Sequence, residues 1–163
     1  GILTFHEADS YGAVLQAYAL QETLKKLGAE SEFVQIVRNT PEQAPSAPAT
    51  GAAALFARKI QAEGKKREAL FTAFREQYMH ISKPYSPADP IDSAYDSFIA
   101  GSDQIWNPKI FPDGHFDPVF FGTFSQKRKI AYAPSFGIPR IPEGMEEELR
   151  GYLRQFSHVS VRE

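Results

Sequence analysis

Cysteine is missing from all 163 residues. Disulfides, thiolate nucleophiles and cysteine-ligated zinc are excluded together, and a reducing compartment, the cytoplasm, is the expected location. No apolar run approaches the roughly 20 residues that a membrane-spanning helix needs. No charged-then-apolar leader opens the chain, which is expected to be soluble as given. An excess of positive charge is also lacking: the formal net charge is -2 and the pI about 6.1, so no global basic field favours nucleic acid. His80, His115 and His158 are scattered without ligand spacing, and no metal site is expected. What is present is a globular composition, 42% hydrophobic, 13% aromatic and 23% charged, at a length that suits one domain. The chain begins at Gly1 without Met and stops at Ser160-Val161-Arg162-Glu163, which reads as a strand running into a loop. We therefore expect a piece of a longer protein.

Hydrophobic periodicity predicts a strand over Ile2 to Phe5 and a polar loop over His6 to Tyr11. A helix follows, carrying Val14, Leu15, Tyr18, Leu24 and Leu27 and stopped by Gly28. Glu32 to Val37 reads as a second strand, reached by a right-handed parallel crossover. Residues 38–51, rich in Pro and Ala, read as a flexible insertion. Two helices are predicted, Ala52 to Glu63 and Lys65 to His80, the second burying Leu70, Phe74, Gln77 and Tyr78. Pro84, Pro87 and Pro90 close that region. Further strands are predicted at Ser97 to Ala100, Lys129 to Ala133 and Val159 to Val161. A helix over Glu143 to Phe156 has acidic residues at its start and Arg150 and Arg154 near its end, matching the helix dipole. The alternation implies an α/β fold, a Rossmann-like open parallel sheet with helices on both faces, whose ligands bind outside the carboxyl ends of the strands.

The polar motifs fall at those ends. His6-Glu7-Ala8-Asp9-Ser10-Tyr11-Gly12 joins a strand to a helix N-terminus, where exposed amides favour a phosphate or carboxylate and Gly12 permits close approach. The alternative is a helix cap made by Asp9 or Ser10. The GxGxxG pattern of dinucleotide sites is not found there. In Gly101-Ser102-Asp103-Gln104-Ile105-Trp106-Asn107 the glycine turns the chain, Asp103 suits a base or a hydroxyl-orienting group, and Gln104 and Asn107 offer donors and acceptors to sugar hydroxyls. Trp106 is read as core packing in preference to a sugar platform. Ala131-Tyr132-Ala133-Pro134-Ser135-Phe136-Gly137 again feeds a tight loop, with Ser135 as a hydrogen-bond donor outside any His and Asp triad. Lys127, Arg128 and Lys129 are read as a solvated turn. Arg162 beside Glu163 suits a substrate carboxylate or phosphate, or else a structural ion pair.

In this order, Gly1 to Phe5 with Asp9-Ser10-Tyr11-Gly12-Ala13-Val14-Leu15-Gln16-Ala17-Tyr18-Ala19-Leu20, Gly101 to Asn107, Ile130 to Gly137 and Ser160 to Glu163 resemble the polysaccharide pyruvyl transferase family. The resemblance spans nearly the whole chain. It implies the N-terminal domain, residues 1–163, of a two-domain transferase similar to glycosyltransferases of the GT-B type, the C-terminal domain being absent. It also implies phosphoenolpyruvate as donor, a sugar of a cell-surface polysaccharide or its lipid-linked precursor as acceptor, a pyruvate ketal as product, and no metal or organic cofactor. On this basis Asp103 and Arg162 are the catalytic candidates. Asp9, Tyr11, Gly12, Gly101, Ser102, Gln104, Asn107, Ser135 and Glu163 are the substrate-binding candidates. The implied location is cytoplasmic, extending to the inner face of the membrane. Two other readings stay open: a GT-B glycosyltransferase using a nucleotide sugar, and a sugar-binding domain without catalysis.

Overall fold

The computed structural model describes residues 1–37, 52–86 and 89–162; the insertion expected at 38–51 lies outside them. Four strands, β1 (Ile2–Leu3), β2 (Ser97–Ala100), β3 (Arg128–Tyr132) and β4 (His158–Ser160), pair in parallel in that order. Helices α1 (Tyr11–Lys26) and α2 (Ala52–Tyr78) separate β1 from β2, and α3 (Glu146–Leu153) separates β3 from β4. The segment expected as a second strand makes only isolated parallel bridges, Phe33 to Ile2 and Ile36 to Tyr85, while Phe33 also bridges Ile81. Its ladder is interrupted because the Gln35 amide donates to the Ser82 hydroxyl at 3.0 Å.

Counting the two bridged segments as strands, the row across the sheet reads Ile81, Phe33, Ile2, Ile99, Ile130, His158. In chain order that is 3-2-1-4-5-6, the order of a doubly wound α/β sheet, in which the winding reverses between the first and fourth strands. Here that point lies between β1 and β2.

Successive strand residues face opposite ways, and the two cores follow that alternation. Ile2 and Ile99 pack with Val14, Ala17 and Leu20 of α1 and Phe71 and Phe74 of α2. Leu3, Phe98, Ala100 and Ala131 pack against Leu149 of α3 and an aromatic group around Trp106 and Phe121. Helices thus cover both faces. Trp106 has no exposed surface, stacks on Phe121 with ring centres 4.9 Å apart, and donates its indole N–H to the Phe120 carbonyl at 3.2 Å. It is a core residue and offers no face to a sugar.

Three local expectations are corrected. The two predicted helices of residues 52–80 are one continuous helix of 27 residues, since a lone Gly64 costs only about 1 kcal/mol against alanine and does not stop it. Its buried side is set by Phe71 and Phe74, whose rings meet Tyr11 at 5.0 Å and Tyr18 at 5.6 Å. Leu70, one residue and so about 100° away, is 70% exposed, and Gln77 and Tyr78 are exposed as well. The third helix is shorter than Glu143 to Phe156 because the chain turns at Gly144, with φ of 85°, before entering α3.

The basic turn is the remaining correction. Lys127 and Arg128 are exposed, but Lys129 is buried. As the second residue of β3 it points into the α3 side of the sheet, where its ammonium donates to Gln155 Oε1 at 2.9 Å. Burial lowers its pKa, opposed by the charge of Asp92.

Replacing Trp106 with alanine should cost about 3–5 kcal/mol of stability, because it empties the middle of an aromatic cluster. Leu70→Ala should cost under about 0.5 kcal/mol at its exposed position. Chemical denaturation of both variants checks the contrast. A pH effect follows from Tyr152, which stacks on Phe121 and donates to Glu148 Oε1 at 2.8 Å. Burial, then the hydrogen bond to Glu148, push its pKa from 10.0 up to about 12. The folded state therefore holds this proton after the unfolded state has lost it, so the contribution is intact below pH 10 and disappears as pH rises through about 12. Denaturation midpoints across that window should fall less steeply for Tyr152→Phe than for the parent.

Candidate functional site

All the expected site residues except Glu163, which lies outside the described residues, fall on loops at the carboxyl ends of strands or at the N-terminus of α1. Backbone hydrogen bonds stitch these loops together in sheet order. The Gly101 amide donates to the Leu3 carbonyl at 3.0 Å, the Ser135 amide to the Asp103 carbonyl at 2.8 Å, and the Arg162 amide to the Pro134 carbonyl at 3.2 Å. Asp103 also bridges Pro134. The motif loops of β2, β3 and β4 therefore form one continuous rim, with Asp103 and the Arg162 backbone on either side of Pro134.

Gly101 is required for that rim. Its φ is 123°, a region that L side chains avoid, and a Cβ there would overlap the Tyr132 carbonyl oxygen. The next turn holds Asp103 at φ of 79°, and Ala133 in the facing loop is at 52°. Such positions cost about 1–3 kcal/mol each and persist only where surrounding bonds enforce them. Oδ1 of Asp103 accepts the Gln104 amide at 2.7 Å. Among the described residues Oδ2 accepts no hydrogen bond, so this carboxylate, half-buried on the rim, keeps one oxygen for a hydroxyl.

The other candidates divide. Gln104 accepts from the Asn107 side-chain amide at 2.8 Å, and Asn107 Oδ1 caps the following turn by accepting the Lys109 amide at 3.0 Å. Asn107 is buried, and its two polar atoms serve the loop itself. Ser135 has no exposed surface, and its Oγ accepts the Gly137 amide at 3.0 Å. Ser102 donates its hydroxyl to the Ala133 carbonyl at 3.2 Å. Arg162 is exposed at the far end of the rim.

On the β1 side, Ser10 is the N-cap residue of α1 but its side chain makes no capping bond. Asp9 instead pairs with Arg75 of α2, whose two terminal nitrogens lie 3.1 and 3.0 Å from Oδ1. Arg75 also donates to the Glu7 carbonyl at 3.2 Å. The first turn of α1, with Tyr11 71% exposed and Gly12 open, is left facing solvent. Thr4 joins the two sides, donating its hydroxyl to the Ser102 carbonyl at 2.8 Å while accepting from Gln16 Nε2 at 3.1 Å.

His6 is buried beside this junction, stacked on Phe33 at 5.2 Å with Nδ1 3.1 Å from the Thr4 carbonyl. It lines two hollows, one of about 120 Å³ with Thr4, Phe5, Glu7 and Phe120, the other of about 480 Å³ with Glu7, Thr72, Arg75 and Glu76. Asp103 and Arg162 line neither; they stand on the open rim. Among the described residues no group of three or more His, Asp or Glu side chains is placed to hold a metal ion.

Sequence reading missed Arg75 and the Thr4 to Gln16 relay. Arg75 lies 66 residues from Asp9 in the chain, and no local pattern signals such a pair. Gln16 could have been found, since it is a long polar residue close to the buried Ala13, Val14 and Ala17 of α1.

An α/β domain whose polar loops gather at the carboxyl ends beside the reversal of strand order is built to bind a ligand there. The model of one family, described as polysaccharide pyruvyl transferase, matches residues 11–163. The chain belongs to the polysaccharide pyruvyl transferase family. No curated protein and no solved structure matches it. The family is a transferase family, and it implies a sugar or polysaccharide acceptor. No described helix is long and apolar enough to cross a membrane.

The Arg75 pair gives a test of how the first loop is held. Arg75→Ala should lower stability by about 1–2 kcal/mol, since it breaks charge-assisted bonds to both Asp9 and Glu7. Asp9→Asn should cost less, because the bond to the Glu7 carbonyl survives. Equal losses in urea denaturation would show that the Glu7 contact contributes nothing.

Proposed function

We propose that this chain is the acceptor-binding and base-supplying half of an enzyme that transfers a pyruvyl group from phosphoenolpyruvate to two hydroxyls of a sugar, forming a ketal. Its fold is then similar to the N-terminal domain of a GT-B-type transferase, with a second domain completing the cleft. The family membership supports the reaction class, and the observation that carries the residue assignment is the Asp103 carboxylate. Oδ1 is fixed by the Gln104 amide and Oδ2 is open, on a backbone held in a left-handed conformation at the rim.

The chemistry balances as follows. A general acid, assigned to the second domain, gives its proton to the methylene carbon of phosphoenolpyruvate, leaving an oxocarbenium-like centre at C2. A sugar hydroxyl attacks C2 as Asp103 takes its proton, and a second hydroxyl then displaces phosphate, its own proton leaving to a base or to phosphate. Arg162, with its planar fork, is assigned to the donor's carboxylate or phosphate. Tyr11, Gly12 and the first turn of α1 form the opposite wall, where amides and the helix dipole favour the same negative charge. Gly101 and Ser102 shape the turn, and Gln104 flanks the acceptor. Asp9 acts at one remove, holding that wall through Arg75. No metal or organic cofactor is needed for these steps.

Asp103→Asn tests the assignment in the two-domain protein carrying this chain, assayed for acceptor-dependent phosphate release from phosphoenolpyruvate over a panel of sugars. Loss of a positioned base should lower kcat by about 10²–10⁴-fold with an unchanged fold. Retention of the full rate would remove Asp103 from the reaction, and release of a nucleotide from a nucleotide sugar would replace the donor.

A further inference from the structure

We propose that the outward side of α2 docks the protein onto a bilayer surface bearing anionic lipids. Among the described residues this helix joins the core through Phe71 and Phe74 of its C-terminal turns. Over residues 57–70 every residue is exposed except Gly64, which is half-buried. An isolated stretch of that length, about 12–15 residues, is marginal as a helix in water, so it gains from a surface to lie on.

The charge of this stretch is unlike that of the chain as a whole. Arg58, Lys59, Lys65, Lys66 and Arg67 stand against Glu63 and Glu68, within a protein of net charge -2. At about 100° per residue, Arg58, Lys59, Lys65 and Lys66 share the half of the helix turned away from Phe71, whereas Glu63 and Glu68 fall on the other half. Among the described residues Glu63 pairs with Lys66, at 3.2 Å. The outward half from 57 to 70 thus carries four cations and no carboxylate, the cations spanning about 12 Å from Arg58 to Lys66 at 1.5 Å per residue.

Its remaining residues decide between partners of the same sign. Leu70, 70% exposed, and the exposed Ala62 and Ala69 lie among the cations. A lipid headgroup region accepts such an apolar ridge while long basic stems keep their charges at the phosphates. A soluble polyanion would leave the ridge wet. The planar, fluid array of anionic headgroups is therefore the partner that uses both features.

Flotation with vesicles tests this on the chain itself, comparing phosphatidylcholine alone with phosphatidylcholine mixed with phosphatidylglycerol. Binding should require phosphatidylglycerol and weaken with added salt. The quadruple variant Arg58→Gln, Lys59→Gln, Lys65→Gln, Lys66→Gln should bind at least about a hundredfold more weakly. A control removing equal charge elsewhere, Lys25→Gln, Lys26→Gln, Lys109→Gln, Lys127→Gln, should bind nearly as the parent does. Leu70→Ser should reduce vesicle binding and leave binding to heparin unchanged. No binding to the mixed vesicles, equal losses in the two quadruple variants, or a Leu70→Ser variant that floats like the parent would each overturn the proposal; the last would point to a soluble polyanion.

Discussion

The arrangement depends on how closely β2 turns beneath β3. At Gly101 there is room for a hydrogen and nothing larger, because the Tyr132 carbonyl oxygen occupies the space a side chain would take. That contact lets the loop after β2 lie along the loop after β3, so that Asp103 meets Pro134 and its carbonyl accepts the Ser135 amide. The left-handed backbone at Asp103 and Ala133 is held by hydrogen bonds on both sides, the Ala133 amide donating to the Ser160 carbonyl and the Ser135 amide to the Asp103 carbonyl. A rim that is strained and over-determined holds the Asp103 carboxylate in one place, which is what the proposed base needs.

The second tie runs between helices and loop. Thr4 and Gln16 bring the α1 side to the Ser102 carbonyl, and Arg75 of α2 brings the loop of Glu7 and Asp9 into line. Each bond is modest alone, about 0.5–1.5 kcal/mol for a neutral pair and more with a charge. Together they convert two faces of one sheet into a single edge. Asp9 illustrates the consequence: a carboxylate expected to meet ligand directly is bound by an arginine, and Ser10 beside it makes no side-chain cap to the first turn of α1.

Much of this was legible in the residues. β2 ran over Ser97–Ala100 as predicted, α1 and β3 were placed to within a few residues, and the parallel α/β class followed from their alternation. Trp106 as a core residue was read correctly from its bulk. What could not be read was set by tertiary partners. Phe33 and Ile36 make bridges in place of a strand because Ser82, from a distant segment, takes the Gln35 amide. Lys129 looked like surface beside Lys127 and Arg128, yet strand alternation turned it inward. Of the candidate residues, Asp103 and Arg162 were picked by loop position and both fall on the rim, but the inward commitments of Asn107 and Ser135 depend on neighbours that periodicity does not reveal.

The central claim is the transfer of pyruvyl as a ketal, and its most direct measurement is the structure of the product. The protein carrying this chain would be incubated with phosphoenolpyruvate labelled at C2 and a sugar acceptor, and the product followed by carbon NMR. The account predicts a labelled quaternary carbon bonded to two sugar oxygens, formed as phosphate appears. Label remaining in free pyruvate or phosphoenolpyruvate, with the acceptor modified only when a nucleotide sugar is supplied, would contradict it.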